Sequence, residues 1–146
     1  MVHKAGIICN NPEDKENIQL QNAFEAVEIE PVFITLDQIA ICAGLNSDFQ
    51  HADKNIDLDR LSGFLLRGLG FTTFPRAFFR FDVLYALEYR GKILINAAKA
   101  TENALNKGIT SVILDSQGIP TPRTIIAENI KHALHSFDAL GQDVLV

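Results

Sequence analysis

The chain has 146 residues, of which 47% are hydrophobic, 13 are basic and 18 are acidic, for a formal net charge of −5 at pH 7. This suffices for one ordinary domain, or for one small domain with part of another. Basic and acidic residues are well mixed, which argues against a dedicated nucleic-acid surface. No apolar stretch approaches the roughly 18 residues of a membrane span, and no signal peptide is evident, so we expect a cytoplasmic protein.

The first third of the chain predicts a strand, a helix and a second strand. Residues 4–9 are a short apolar run typical of a buried strand, and Asn11 with Pro12 makes a good helix start. The following helix has apolar residues at helical spacing: Leu20, Ala23, Phe24 and Val27. Residues 31–35 predict the second strand. This order of elements implies a right-handed parallel crossover.

The middle of the chain contains a polar excursion between predicted strands. In residues 37–59, Ile39, Ile41 and Leu45 suggest a short helix, whereas the polar residues that follow suggest a surface loop. We expect the two further strands at residues 63–67 and 92–96.

A helix over residues 77–90, ended by Gly91, separates these two strands. Residues 1–96 therefore predict a compact α/β unit with about four parallel strands. Its buried side chains should include Ile7, Ile8, Val32, Phe33, Leu65 and Ile93.

A further helix and a proline-rich turn come next. The helix has apolar residues at helical spacing and should run up to Gly118: Leu105, Ile109, Val112 and Ile113. Pro120 and Pro122 cannot continue it, so a strand should start within residues 123–127. One more amphipathic helix then leads to an apolar strand that begins at residues 143–146.

The segment from 96 to 124 resembles the RimK-like branch of the ATP-grasp ligases. The family pattern is N-x-x-x-A, then D/N-K, T-x-x-x-L and G-I-P-T-P-x-T, matched here by Asn96, Ala100, Asn106, Lys107, Thr110, Leu114 and residues 118–124. An upstream block, RGLG followed by R-x-D-x-L-x-x-L-E-x-x-G, is also similar, at residues 67–70, Arg80, Asp82, Leu84, Leu87, Glu88 and Gly91. One departure is Asn106, where the family often has Asp.

The resemblance implies a fold and a domain organisation. The fold is an open, mainly parallel α/β sheet of the pre-ATP-grasp, Rossmann-like kind over residues 1–96. Connector helices would follow over 97–123, and an incomplete first β-α-β element of an ATP-grasp domain over 124–146.

The resemblance also implies an activity. Such ligases use ATP and Mg²⁺ to join an amino acid, commonly glutamate, to a small-molecule or peptide carboxylate through an acylphosphate. The lysine that matches Lys107 reaches the nucleotide phosphates, a task suited to a compact charge on a flexible stem. Without the resemblance, Lys107 would be interpreted as an ordinary solvated lysine. The sequence does not choose among the acceptors of the family.

Arg67 is a candidate for binding the acceptor substrate. It ends a predicted strand, and the carboxyl ends of parallel strands are where open α/β sheets place ligands. A structural role, in which Arg67 lies in a turn and pairs with a neighbouring carboxylate, explains the residue equally well. Arg80 and Asp82 lie two apart on a helix and cannot pair with each other, so a structural role is favoured, such as fixing this helix against the loop after Arg67.

Cysteines, histidines and phenylalanines have ordinary explanations. Cys9 and Cys42 lie far apart without a metal-binding pattern, and buried thiols are favoured over a disulfide. His132 and His135 lack further ligands nearby, so no metal site is expected. Five phenylalanines favour core packing or a domain or subunit interface, and we expect a homo-oligomer, most simply a dimer: Phe71, Phe74, Phe78, Phe79 and Phe81.

Similar ligases continue beyond an apolar strand like that at 143–146 into a second lysine, a Gly-rich loop and the magnesium ligands. We therefore expect this chain to be the amino-terminal portion of a larger enzyme, inactive by itself and without tight binding of ATP or Mg²⁺. The alternative is a non-catalytic α/β binding or interaction module that kept the fold and lost the chemistry.

Overall fold

The computed structural model describes residues 3–61 and 63–145. In chain order the elements are β1 (His3–Ile8), α1 (Lys15–Ala26), β2 (Ile29–Ile34), β3 (Ile39–Ile41), β4 (Phe49–His51), β5 (Gly63–Leu66), α2 (Phe74–Tyr89), β6 (Ile93–Ile95), α3 (Ala98–Leu105), α4 (Lys107–Ser116) and α5 (Ile130–Ala139). Short 3-10 turns occupy Leu36–Gln38 and Leu58–Arg60. The chain divides into two compact units, with the boundary between Thr101 and Glu102.

A four-stranded parallel sheet organises the first unit, in the order β2-β1-β5-β6. The chain moves outward from β1 to β2 through α1, and outward in the opposite direction from β5 to β6 through α2. The winding therefore reverses between β1 and β5, which makes this point the topological switch of the sheet. The predicted open parallel α/β sheet is confirmed.

One face of the sheet forms the main core together with α2. Ile8 lies level with Ile34 on one side and Leu66 on the other, so the three side chains share a face. They belong to a buried cluster to which α2 contributes Val83, Leu84 and Leu87. Complete burial of three helical residues at this spacing fixes which side of α2 faces the sheet.

The opposite face is only partly covered. Ile7 is fully buried there and α1 packs against β2, but Leu65 is only half-buried and Ile93 is 65% exposed. The predicted burial is confirmed for Ile7 and Ile8, incomplete for Val32, Phe33 and Leu65, and wrong for Ile93. The physical reason is the period of two along a strand, which turns Leu94 rather than Ile93 toward the core.

The polar excursion contains a small antiparallel pair rather than a helix. Ile39 in β3 lies level with His51 in β4, and Ile41 with Phe49. Ile39 and Phe49 are both buried. The predicted short helix is wrong. The spacing of two residues between Ile39 and Ile41 suits a strand, in which alternate side chains turn inward, and the backbone of β3 forms its hydrogen bonds with β4.

The second unit consists of the end of α3 with α4, α5 and their connections. The predicted single helix up to Gly118 is interrupted at Asn106, whose side-chain oxygen accepts a hydrogen bond of 3.1 Å from the backbone N–H of Ile109 and so caps α4. In the same way, the side-chain oxygen of Asn129 caps α5, accepting from the backbone N–H of His132 at 2.9 Å.

The strands predicted beside α5 are not formed. Neither residues 123–127 nor residues 143–145 belong to a ladder in the part of the chain that the structure describes, and Val146 lies outside it. A strand is stabilised by hydrogen bonds to a neighbouring strand, and the described part of this unit offers no sheet for either segment to join. The proposed division into residues 97–123 and 124–146 stays a prediction.

Candidate functional site

A cleft lies where three parallel strands end. Asn10 follows β1, Asp37 follows β2, and Gly70 with Phe71 follows β5. Together with Arg80 of α2 they border a cavity of about 340 Å³, called here the carboxyl-edge cleft. Its position beside the topological switch is where open α/β sheets bind ligands.

The loop after β5 is held in place by α2. Nη1 of Arg80 donates a hydrogen bond to the carbonyl oxygen of Leu69. Gly70, the next residue, has a φ of +80°, and a Cβ atom there would lie 2.5 Å from Nη1 of Arg80 and 2.7 Å from Oδ1 of Asn10. Any other residue would be strained by the positive φ and would have to displace these two side-chain ends. The structural role predicted for Arg80 is confirmed.

Asp37 gives the cleft a negative charge. Its carboxylate accepts a hydrogen bond from the side chain of Thr35, which is the main cause of a lowered pKa, with a further side-chain hydrogen bond from Gln38 and the charge of Arg80. Bonds to the ionised form favour it. The carboxylate is therefore ionised at neutral pH and can accept hydrogen bonds from a ligand.

Arg67 lies beside the cleft rather than in its lining. Its backbone N–H donates to the carbonyl oxygen of Ile8 at 2.8 Å, which places it at the carboxyl end of β1. Its side chain is exposed and forms no ion pair with any residue that the structure describes. The proposed binding of an acceptor by Arg67 stays a prediction.

The thiol of Cys9 lies close enough to Arg67 for the charge of the arginine to act on it. Burial is the main cause of its raised pKa, the charge of Asp14 adds to it, and the positive charge of Arg67 partly offsets it. Cys9 and Cys42 are both buried free thiols, as predicted.

Lys107 belongs to the second unit. It is the first residue of α4, its side chain is exposed, and it forms no ion pair within residues 3–61 and 63–145. A cavity of about 480 Å³ in this unit is lined by residues of α4, α5 and the segment 121–126, but not by Lys107. Its proposed contact with nucleotide phosphates stays a prediction.

Neither a metal-binding cluster nor a membrane-spanning helix occurs among the described residues. Among the described residues, no three His, Cys, Asp or Glu side chains come together in a way that could hold a metal ion. In the same residues, every helix is too short or too polar to cross a membrane.

The sequence analysis missed Asn10 and Asp37. Each comes within three residues of the end of a parallel strand, which is the signal that could have found them. Recognising that they share one cleft with Arg80 requires the strand order as well.

Known proteins resemble this chain in both sequence and fold. It is 34% identical over 142 residues to a tetrahydromethanopterin:alpha-L-glutamate ligase of Methanocaldococcus jannaschii, covering 97% of this chain and 46% of that protein. It is 33% identical over 146 residues to the protein of that name from Methanosarcina acetivorans, covering 97% and 45%. The chain thus spans about half the length of these relatives. No family model matches it.

Two solved structures show the likeness in fold. A RimK domain protein ATP-grasp from Sphaerobacter thermophilus superposes with a TM-score of 0.69 at 19% identity, covering 94% of this chain and 46% of that one. The ATP-grasp ligase PsnB, solved as a complex with a phosphomimetic variant of its minimal precursor, Mg and ADP, gives a TM-score of 0.64 at 16% identity, covering 96% and 52%.

Proposed function

We propose that this chain, which resembles the RimK-like ATP-grasp ligases in sequence and in fold, forms the amino-terminal part of a ligase that adds glutamate to a carboxylate acceptor. The observation that carries the proposal is the identity of 34% to a glutamate ligase over 97% of the chain, which extends far beyond the short motifs. The resemblance recognised from residues 67–124 is confirmed by this similarity and by the fold.

The proposed reaction has two steps. The acceptor carboxylate attacks the γ-phosphorus of ATP, which forms an acylphosphate and releases ADP. The amine of glutamate then attacks the acyl carbon, expels inorganic phosphate and loses a proton to give the amide. Mg²⁺, when bound with ATP, neutralises phosphate charge in such transfers, and the contribution of the protein is positioning and charge.

We assign Arg67 to the acceptor carboxylate. Its side chain is exposed and lacks an ion-pair partner among the described residues, and its backbone lies at the carboxyl end of β1, at the sheet's switch point. A planar guanidinium can hold a carboxylate through two parallel hydrogen bonds. Arg80 is less suited to this role because Leu69 already accepts a hydrogen bond from it.

We assign Lys107 to the nucleotide phosphates. It is exposed at the start of α4, where its ammonium group can reach a phosphate without first breaking an ion pair within the described residues. Since these residues contain no cluster suited to a metal ion, we assign no Mg²⁺ ligand to them.

The test is an assay on the polypeptide that contains this segment, made from its full reading frame. The first acceptor to try is tetrahydromethanopterin, which the names of the relatives mention. We expect phosphate release that requires ATP, acceptor and glutamate together, and an acceptor that gains one glutamyl residue by mass spectrometry. Turnover without glutamate would contradict the proposed glutamate ligase. ATP binding without any transfer to a panel of carboxylates would also contradict it and would support the non-catalytic module.

The same assay can distinguish a role of Arg67 in binding the acceptor from a role in binding ATP. Arg67→Ala should raise the KM for the acceptor by about tenfold, since one charged hydrogen-bonded contact contributes about 1.4 kcal/mol or more, and leave the KM for ATP unchanged. Arg76→Ala, which removes another exposed arginine of the first unit, is the matched control.

A further inference from the structure

The helices α3 and α4 meet at a single residue. α3 ends at Leu105 and α4 begins at Lys107, so only Asn106 lies between them. In a continuous helix the carbonyl oxygen of Asn103 would accept a hydrogen bond from the backbone N–H of Lys107. Here it accepts a hydrogen bond of 2.7 Å from the side-chain hydroxyl of Thr110 instead. The hydroxyl therefore satisfies a carbonyl in the last turn of α3 that the end of the helix leaves without its backbone donor.

The bond between Thr110 and Asn103 depends on a sharp turn of the chain at Asn106. The two residues are seven positions apart. Along one straight helix their backbones would be separated by about 10.5 Å, which is farther than a threonine side chain reaches. The hydroxyl also lies 3.0 Å from the carbonyl oxygen of Asn106, a contact that threonines commonly make inside a helix. It is the bond to Asn103 that joins the two helices and sets the angle between them.

The same junction holds the backbone of Lys107 and leaves its side chain free. A Cβ atom at Gly108 would lie 2.7 Å from Cδ1 of Ile126, so the first turn of α4 packs closely against the segment 121–126. The side chain of Lys107 is exposed and makes no ion pair within the described residues. A fixed backbone that carries an unpaired charge is the arrangement expected of a group that waits for a ligand.

We infer that Thr110 is a positioning residue for the nucleotide, because its bond to Asn103 fixes the direction in which Lys107 leaves the start of α4. The inference rests on the proposed function, in which Lys107 contacts the phosphates. A hydroxyl has one proton to donate, and that of Thr110 is engaged by backbone carbonyl oxygens. Thr110 is therefore not a donor to ATP, and its effect on the nucleotide passes through Lys107.

The test measures the affinity of the complete polypeptide for Mg-ATP by titration calorimetry. Thr110→Val keeps the shape of the side chain and removes the hydroxyl, so it should weaken binding by about three- to tenfold, but by no more than Lys107→Ala does. Thr110→Ser keeps the hydroxyl and should bind within about twofold of the native protein. Equal weakening by Thr110→Val and Thr110→Ser would assign the effect to the methyl group and overturn the inference.

Ser136→Ala is the matched control. Its hydroxyl donates to the carbonyl oxygen of His132, four residues earlier in the same helix, and so joins no second helix. The loss of this bond should leave the affinity for Mg-ATP unchanged. A loss as large as that of Thr110→Val would show that any hydroxyl of this kind matters, which would overturn the special role of Thr110.

A double-mutant cycle separates positioning from a general effect on the fold. In the Lys107→Ala background, Thr110→Val should cause no further loss of affinity, because the charge that it positions is gone. A loss of similar size in both backgrounds would mean that Thr110 acts independently of Lys107, and would overturn the inference.

The outcome can be separated from that of the proposed function, because ATP binding is measured without any transfer of glutamate. A polypeptide that shows this coupling but transfers no amino acid would overturn the ligase proposal and support the role of Thr110. Glutamate transfer with native ATP affinity in Thr110→Val would overturn this inference alone. Native ATP affinity in Lys107→Ala would overturn both the assignment of Lys107 and the inference.

Discussion

Arg80 donates a hydrogen bond from its guanidinium to the carbonyl oxygen of Leu69, eleven residues earlier in the chain. This bond joins α2 to the loop that follows β5, and the same loop begins with Arg67 and ends at Thr73. Arg67, which is proposed to contact the acceptor, therefore lies on a segment whose conformation is set from the side of the main core.

Removing this bond should destabilise the first unit. Arg80→Met keeps the length of the side chain and removes the charge and the donors, leaving a half-buried carbonyl without its partner. We expect the free energy of unfolding in urea to fall by about 1 to 3 kcal/mol. Arg76→Met on the same helix should change it by less than about 0.5 kcal/mol. Equal effects of the two substitutions would show that the bond to Leu69 contributes nothing.

Gly70 permits a second test of the same loop. Gly70→Ala adds a Cβ atom both to a left-handed backbone and to the space between Arg80 and Asn10. Gly44→Ala is the matched control, because Gly44 has a φ of +71° but no heavy atom within 4 Å of the added Cβ. Both variants lose about 1 kcal/mol to the backbone, and Gly70→Ala should lose about 1 kcal/mol more because the added Cβ atom displaces Nη1 of Arg80 from its bond to Leu69. Thermal unfolding with equal shifts for the two variants would contradict this account of the loop.

The four strands of the parallel sheet could be predicted because each is a short apolar run bounded by Gly, Pro or Asn. The sequence could not show which face of a strand is covered, since that depends on where the helices lie. Ile93 is as apolar as Leu94, but only Leu94 faces α2. Likewise, Ile39 and Ile41 are compatible with a helix until the pairing with β4 is known.

The candidate site could be predicted only in part. Arg67 was found because it ends a predicted strand, and the carboxyl ends of parallel strands are where open α/β sheets bind ligands. Lys107 was found only through the family pattern. Asp37 and Asn10 are ordinary polar residues in loops, and their importance arises from strand order, which brings the ends of β1, β2 and β5 together. Strand order depends on contacts between distant parts of the chain that no local pattern reports.

Replacing Lys107 should lower the catalytic efficiency with ATP without changing the stability of the fold. In the complete polypeptide, Lys107→Ala should lower kcat/KM for ATP by about tenfold or more, which corresponds to about 1.4 kcal/mol, because it removes a positive charge from the phosphate site. Its exposed side chain makes no ion pair in the described chain, so the unfolding temperature should stay unchanged. Lys131→Ala, at an exposed position of α5, is the control, and kinetics equal to those of this variant would make Lys107 an ordinary surface residue.

The exposed aromatic surface at the start of α2 should mediate self-association. Phe74 and Phe78 are 77% and 59% exposed, and their rings meet edge to face with centroids 5.0 Å apart. Light scattering at micromolar concentration should give the mass of a dimer, and a variant with both Phe74→Ser and Phe78→Ser should be a monomer. Tyr89→Ser, at the other end of the helix, should leave the dimer intact. A monomeric native chain would refute the expected association.

The 146-residue chain alone should bind Mg-ATP weakly. Among the described residues no group of His, Cys, Asp or Glu side chains could hold a metal ion, and the one lysine contact proposed here supplies too little charge to hold a triphosphate tightly. Titration calorimetry should therefore detect no binding at micromolar nucleotide. A micromolar dissociation constant would mean that these residues already contain a complete nucleotide site.

The buried thiol of Cys9 should make the fold sensitive to alkaline pH. Its pKa in the folded protein is raised above the ordinary value of 9.0, chiefly by burial, so the folded state holds this proton more tightly than the unfolded chain does. The resulting contribution to stability is complete below pH 9.0 and is lost as the pH rises from there through the folded pKa. Urea unfolding between pH 8 and pH 10 should show a steeper loss of stability for the native chain than for Cys9→Ala. Cys42→Ala keeps Cys9 and should retain the steeper loss, whereas identical pH profiles for the native chain and Cys9→Ala would refute the role of this thiol.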